Sequence, residues 1–296
     1  MTKQAVKIEL SAVIVALVGT EPQILVDQQG AIPSGPFETD HRTLEQGLRS
    51  WAGLPLGYVE QLYTFADKDR HRDGDRIISI GYLALMQDAA LPRKSTWSSW
   101  YRHFPWEDHR KGFPLIISKQ ILPVLNIWKS EAADVATKRV RASRIAIAFP
   151  EDKKRWNEEL VLQRYELLWE AGLVFESPHF KKRRAHEMGV VLAQDHRRIV
   201  ATAMARLRAK IKYRPVVFEL MSDHFTLLQL QLAVEALGGL RLHKQNFRRL
   251  VESQGLVEET GASIRAVAGR PAKLFAFRRE VLQQRAVVGT KLPRSQ

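Results

Sequence analysis

The chain has no cysteine among its 296 residues. That excludes disulfides, thiolate metal sites and cysteine nucleophiles, and it fits the reducing cytoplasm, which is the expected location. No apolar run is long enough to span a bilayer. The start, Met1-Thr2-Lys3-Gln4, leads into alternating strand-type sequence rather than the apolar core of a leader. The nine histidines show no spacing such as His-Glu-x-x-His, so no metal is expected. Internal repeats and low-complexity stretches are lacking. Acidic residues are scarce: 32 Asp and Glu stand against 46 Lys and Arg, a formal charge of +14. That imbalance favours a polyanionic partner, nucleic acid first and an anionic membrane surface second. A membrane surface ranks last on inspection, because no helix joins a strongly basic face to a sufficiently apolar one. Length and a 45% hydrophobic fraction allow two domains with ordinary cores.

The most informative segment runs from Thr226 to Phe277. Thr226 and Gln229 have capping-box spacing, and Phe225 and Leu230 have the spacing of a hydrophobic staple. Gly238-Gly239 ends that helix. A second helix is expected from Leu242 to about Gln254. Phe247, Leu250 and Val251 follow the i, i+3, i+4 rule and should point inward. The opposite side then carries Gln245, Arg248, Arg249 and Glu252, flanked by Lys244 and Asn246. Arg pairs bidentately with guanine, and Gln or Asn with adenine. Two strands follow, Gly255–Thr260 and Ala272–Arg279, joined by a tip holding Arg270 and Lys273. Cations on such a wing suit phosphates, which add affinity but little sequence choice. Taken alone, Arg248 and Arg249 could merely solvate a helix face. The order of capped helix, Gly turn, basic helix and basic hairpin favours a DNA-binding winged helix-turn-helix.

Upstream, Val6–Val18 and Gln23–Val26 read as strands, followed by a Gly/Pro-rich loop from Gly30 to Phe37. A helix from about His41 to Ala52 ends at Gly53, and Val59–Phe65 and Arg76–Met86 are further strands. That order describes an α/β domain. Trp97, Trp100, Tyr101, Phe104 and Trp106 stand among cations, either as a base-stacking surface or as a buried patch with a charged rim; burial is the favoured reading. Trp156–Trp169 and His196–Lys210 read as helices. The basic run Lys181-Lys182-Arg183-Arg184 faces phosphate or is solvated, and the sequence leaves both open.

The α/β region resembles the Nudix fold. Gly53-Leu54 match the end of the Nudix box, and Glu38 falls on its first Glu. Gln46-Gly47 replace Arg-Glu, Ser50-Trp51 replace Glu-Glu, and Ile32 takes the initial Gly position. Nudix hydrolases hold divalent cations with these helix carboxylates. Their loss predicts a dead hydrolytic site and no enzyme activity, with the pocket retained for a nucleotide. A degenerate Nudix-like domain joined to a winged helix resembles the Nudix-related transcriptional regulators of NAD metabolism. Tyr58–Phe65, Ile78–Ala84, Tyr213–Leu220, Lys244–Arg249 and Gly269–Phe275 carry the likeness. Trp97–Tyr101 and Trp156–Leu160, in a long middle insertion, resemble the alphaproteobacterial branch.

The expected architecture is a two-domain α+β or α/β chain. Residues 1–212 form a Nudix-like α/β/α domain with a helical insertion at about 87–150. Residues 213–285 form the winged helix, and 286–296 a flexible tail. The resemblance implies a homodimeric repressor of NAD synthesis or salvage genes on double-stranded operator DNA. A dimer with two reading helices calls for a palindromic operator. It also implies an adenine-nucleotide effector, ADP-ribose, NAD or ATP, with no required cofactor. Glu38, Arg49, Tyr63 and Phe65 are the effector-site candidates; Tyr63 and Phe65 also have ordinary core spacing. Gln245, Arg248 and Arg249 are the base readers, Asn246 flanks them, and Lys244, Arg270 and Lys273 hold phosphates. The alternatives are an active Nudix-type hydrolase with an appended DNA-binding module, and a non-catalytic RNA-binding protein using the Trp-rich segment and the basic run.

Overall fold

The structure is a computed structural model describing residues 6–37, 42–66, 70–72, 75–87, 95–180, 188–264 and 271–280. Glu38, Arg270, the basic run at 181–184 and the expected tail at 286–296 lie outside the described residues.

The first part is built on a mixed sheet. Its strands are β1 (Val6–Val18), β2 (Glu21–Asp27), β3 (Ser34–Pro36), β4 (Val59–Phe65), β5 (His71–Arg72), β6 (Asp75–Leu85) and β7 (Ser95–Ser99). The main order is β4-β6-β1-β2-β7. β1 and β6 run parallel, in register from Val6–Arg76 to Val15–Leu85. A strand covered on both faces should be apolar at successive positions, and β1 is buried without a break from Glu9 to Ala16. Its even residues, Leu10, Ala12 and Ile14, pack with Leu48 of helix α1 (Leu44–Ala52). Its odd residues, Val13 and Val15, enter a larger core on the other face.

α1 starts at Leu44 rather than near His41. Thr43 caps it by accepting from Gln46 N–H at 3.1 Å. Gly53 closes it in the left-handed region, at φ 60°.

The helical region is α2 (Trp100–His103), α3 (Leu122–Ser130), α4 (Val135–Ala148) and α5 (Val161–Glu170), so its helices extend past Pro150. The expected helix from Trp156 to Trp169 begins later, at Val161. Asn157 competes with the helix by turning the chain: its side chain accepts from Glu159 N–H at 2.9 Å. Trp156 instead packs on Arg164, whose guanidinium lies 3.9 Å from the ring centroid. Trp100, Phe104 and Trp106 are fully buried. That rules them out as a base-stacking surface and bears out the buried patch.

Helix α6 (His196–Tyr213) packs on the large-core face of the sheet and on α5. A short 3-10 turn (Val216–Leu220) leads to β8 (His224–Phe225), α7 (Leu227–Gly238), α8 (Lys244–Ser253), β9 (Val257–Ile264) and β10 (Ala272–Phe277). These last strands form a separate sheet in the order β8-β10-β9. β9 begins and ends later than the sequence suggested, and β10 stops at Phe277. Phe225, Leu230, Leu237, Phe247 and Val251 join the same continuous core as Val13, Trp106 and Leu207.

Candidate nucleic-acid interface

The capping box of α7 is complete. Gln229 N–H donates to Thr226 Oγ1 at 3.2 Å, and Thr226 N–H donates to Gln229 Oε1 at 2.7 Å. Gly239 ends the helix at φ 69°, where L side chains are strained. A Cβ there would also collide with the carbonyl of Glu107. The turn into α8 is held by a buried pair that the sequence reading missed. Gln231 Nε2 donates to Glu235 Oε1 at 2.8 Å and to Leu242 O at 3.1 Å. Leu242 N–H donates to the same Glu235 oxygen at 2.9 Å. The i, i+4 spacing of Gln231 and Glu235 was the available signal.

α8 rests on Phe247 (7% exposed) and Val251 (6%). Leu250, expected inside, is 54% exposed. The wheel explains this correction: Val251 lies about 40° from Phe247 on one side and Leu250 about 60° on the other. A contact this narrow covers only the Phe247–Val251 side. Lys244, Gln245, Asn246, Arg248, Arg249 and Glu252 are all exposed. Among the described residues, no hydrogen bond or ion pair engages the side chains of Gln245, Arg248 and Arg249, the expected base readers. On the wing, Lys273 Nζ pairs with Glu259 at 2.8 Å. Both groups are more than half exposed, so the pair contributes at most about 1 kcal/mol and yields readily to a phosphate.

Against the C-terminal end of α7 lies a buried ionic knot. Glu107 accepts from Arg164 Nε at 2.6 Å and from Arg208 Nη1 at 2.6 Å, with all three side chains fully buried. Burial alone would raise the Glu107 pKa, but Arg164 and Arg208 outweigh it and hold the carboxyl below its ordinary range. The knot reaches the C-terminus of α7 directly. Arg208 Nε donates to Leu237 O at 3.0 Å, Tyr101 Oη to Ala236 O at 2.5 Å, and His109 N–H to Gly239 O at 2.7 Å. These are the last carbonyls of a helix, which lack partners within it.

Residues 217–277 match the family model described as the NrtR DNA-binding winged helix domain. The C-terminal unit is an NrtR-type winged helix. A curated relative from Acinetobacter baylyi, named an ADPR responsive transcriptional repressor NtrR, is 42% identical over 87 residues. That match takes in 29% of this chain and spans only about a third (34%) of the relative's own length. Over most of the chain the likeness is one of fold. Shewanella oneidensis NrtR, solved with a 27mer DNA, superposes with a TM-score of 0.53 at 21% identity, covering 93% of this chain and 95% of that one. A MutT/nudix family protein from Enterococcus faecalis gives 0.53 at 13% identity, covering 93% and 89%. The chain therefore combines a Nudix-like α/β part, extended by helices, with the NrtR-type winged helix.

In the Nudix-like part, the effector candidates are not brought together. Arg49, on α1, donates to Glu45 Oε1 at 3.0 Å and to the carbonyls of Leu56 and Gly57 at 2.5 and 2.9 Å. It clamps the loop after the helix. Tyr63 and Phe65 lie toward the opposite face of the sheet, the side of α6. A register shift between Gln61 and Thr64 breaks the strand alternation. Tyr63 is 54% exposed with Arg206 of α6 at 5.8 Å from its ring centroid, while Phe65 is buried against Gly81. Trp51 packs on Gly35, where a Cβ would sit 2.6 Å from the indole. Among the described residues, no group of three or more His, Asp or Glu is placed to hold a metal ion. Also among them, no helix is long and apolar enough to cross a membrane. A cleft of about 380 Å³ separates the loop at Pro55–Gly57 from the winged helix at Phe218, Asp223 and Phe277. At its edge the Glu219 carboxylate lies 2.8 Å from where a Gly57 Cβ would stand.

Proposed function

We propose that this chain is a DNA-binding transcriptional regulator, a repressor of NAD synthesis or salvage genes controlled by an adenine nucleotide. One observation carries the reading. In a segment matching the NrtR winged helix, α8 turns Gln245, Arg248 and Arg249 to solvent on a base held by Phe247 and Val251. Sensing belongs to residues 1–212 and DNA binding to 213–285. The protein works in the cytoplasm as a homodimer, and its operator is palindromic because two reading helices are related by a twofold axis. ADP-ribose is the favoured effector, because the Acinetobacter baylyi relative is named for its response to ADPR; NAD and ATP are the other candidates.

The same reading excludes hydrolysis. Gln46, Gly47, Ser50 and Trp51 offer no carboxylate, and Glu45 is paired with Arg49. Hard divalent cations need oxygen ligands that this helix no longer supplies. Transmission runs through α6. It touches β4 through Lys210–Glu60 at 2.7 Å, and α7 through Arg208–Leu237 O. An effector acts only if it binds the DNA-competent and DNA-incompetent dimers with different affinity.

The test is a gel shift on duplexes from upstream of NAD-synthesis genes, titrated with ADP-ribose, NAD and ATP. A specific shift that one nucleotide alters is the expected result. Absence of duplex affinity at low salt overturns the proposal. Robust turnover of NAD, NADH or ADP-ribose with Mg²⁺ overturns its non-enzymatic half and restores the hydrolase reading.

A further inference from the structure

The helical region meets the helix-turn-helix at a tight turn, and that turn carries a cation. Residues His109–Gly112 close on themselves, with Gly112 N–H donating to His109 O at 3.0 Å. The turn is braced through Arg110 and His109. Arg110 Nη2 bonds Asp108 Oδ2 and Glu21 Oε1, each at 2.9 Å, and its guanidinium lies 4.9 Å from the Tyr101 ring centroid. The His109 ring lies 4.1 Å from Trp156, centroid to centroid. The His109 N–H to Gly239 O bond joins this frame to the turn that leads into α8. Lys111 is exposed at the tip, and Arg241 and Lys244 are exposed on the segment just beyond Gly239. Arg110 is consumed by structure. Among the described residues, no hydrogen bond or ion pair engages Lys111.

We propose that Lys111 is a contact to the DNA phosphate backbone. With Arg241 and Lys244 it extends the cationic track from the winged helix onto the helical region. The inference rests on the DNA-binding reading above. When a recognition helix lies in the major groove, the first helix of the pair crosses the sugar-phosphate backbone, and the turn from that helix is where Lys111 is anchored. A cation on a fixed pedestal there is already placed among phosphates. Such a contact displaces counterions, so it adds to the salt dependence without adding sequence choice. The helical region thereby becomes part of the binding surface as well as its support.

The experiment measures affinity for a mixed-sequence duplex between about 50 and 200 mM salt, the range over which phosphate contacts dominate. The proteins are full-length wild type, Lys111→Gln, Lys111→Arg and Lys138→Gln, the last removing an exposed cation of α4. Lys111→Gln should flatten the slope of log affinity against log salt by roughly 0.9, the contribution of one phosphate contact. Lys111→Arg and Lys138→Gln should keep the wild-type slope. Binding by Lys111→Gln identical to wild type overturns the inference. So does an equal loss in Lys138→Gln, which would make the effect one of net charge rather than place. Failure of wild type itself to bind duplex DNA sinks the DNA-binding reading, and is told apart from the other outcomes by that control.

Discussion

α1 and α8 are both short helices with a charged outer face, one in the Nudix-like part and one in the winged helix. On α1 the charges are used up: Arg49 holds Glu45 and two carbonyls of the following loop. On α8 the side chains of Gln245, Arg248 and Arg249 are exposed and unengaged within the described chain, while a narrow apolar base holds the helix. The first arrangement stabilises its own surroundings. The second leaves its hydrogen-bonding capacity for something outside the protein. A charged helix face is thus informative only when the partners of its charges are known.

The largest expected effect tests the support beneath α8. Glu107→Ala leaves two buried guanidinium groups without their carboxylate and should cost about 3–5 kcal/mol of folding stability in urea unfolding. A loss below 1 kcal/mol would show that the knot is dispensable. Next, Arg249→Ala should leave folding unchanged, cost about 1–3 kcal/mol of operator binding and relax specificity at one base position. Unchanged affinity and specificity in that variant would make α8 no different from α1.

The pH response sharpens the contrast in another way. Burial is the main cause that lowers His103 and His109 to about 4, well below their ordinary 6.5. The unfolded chain therefore binds more protons than the folded one between those values. Their contribution to stability is complete above about pH 6.5 and is lost as pH falls through about 4. Thermal unfolding across this range should show Tm falling toward acid, with a shallower fall in His103→Asn. An identical pH profile in that variant would remove His103 from the account. The smallest effect is expected at Leu250→Ala, within about 0.5 kcal/mol of wild type, as for an ordinary surface position. Val251→Ala should cost clearly more.

Much of this was legible in the sequence because it is local. Thr226 and Gln229 announce a capping box, Gly239 a helix end, and the Val-, Ile- and Ala-rich run from Val6 to Val18 a strand. The exposed face of α8 follows from a wheel anchored on Phe247. What escaped was either marginal in angle or distant in sequence. Leu250 sits at the rim of a narrow contact. Asn157 delays a helix that periodicity alone would start at Trp156. A register shift separates the environments of Tyr63 and Phe65 despite their spacing of two. Glu107 finds Arg164 and Arg208 at separations of 57 and 101 residues, and no local pattern announces such a meeting.

That last separation shapes how the molecule comes into being. While the chain is being synthesised, Glu107 and Arg164 emerge well before Arg208, and the Ala236 and Leu237 carbonyls emerge later still. The ionic centre therefore cannot close until Arg208 has left the ribosome, long after Glu107 and Arg164. Long-range closures of this kind form slowly. The segment that would grip DNA follows directly on the residue that completes the ionic centre, so a product ending before Arg208 would lack both its grip and its lock.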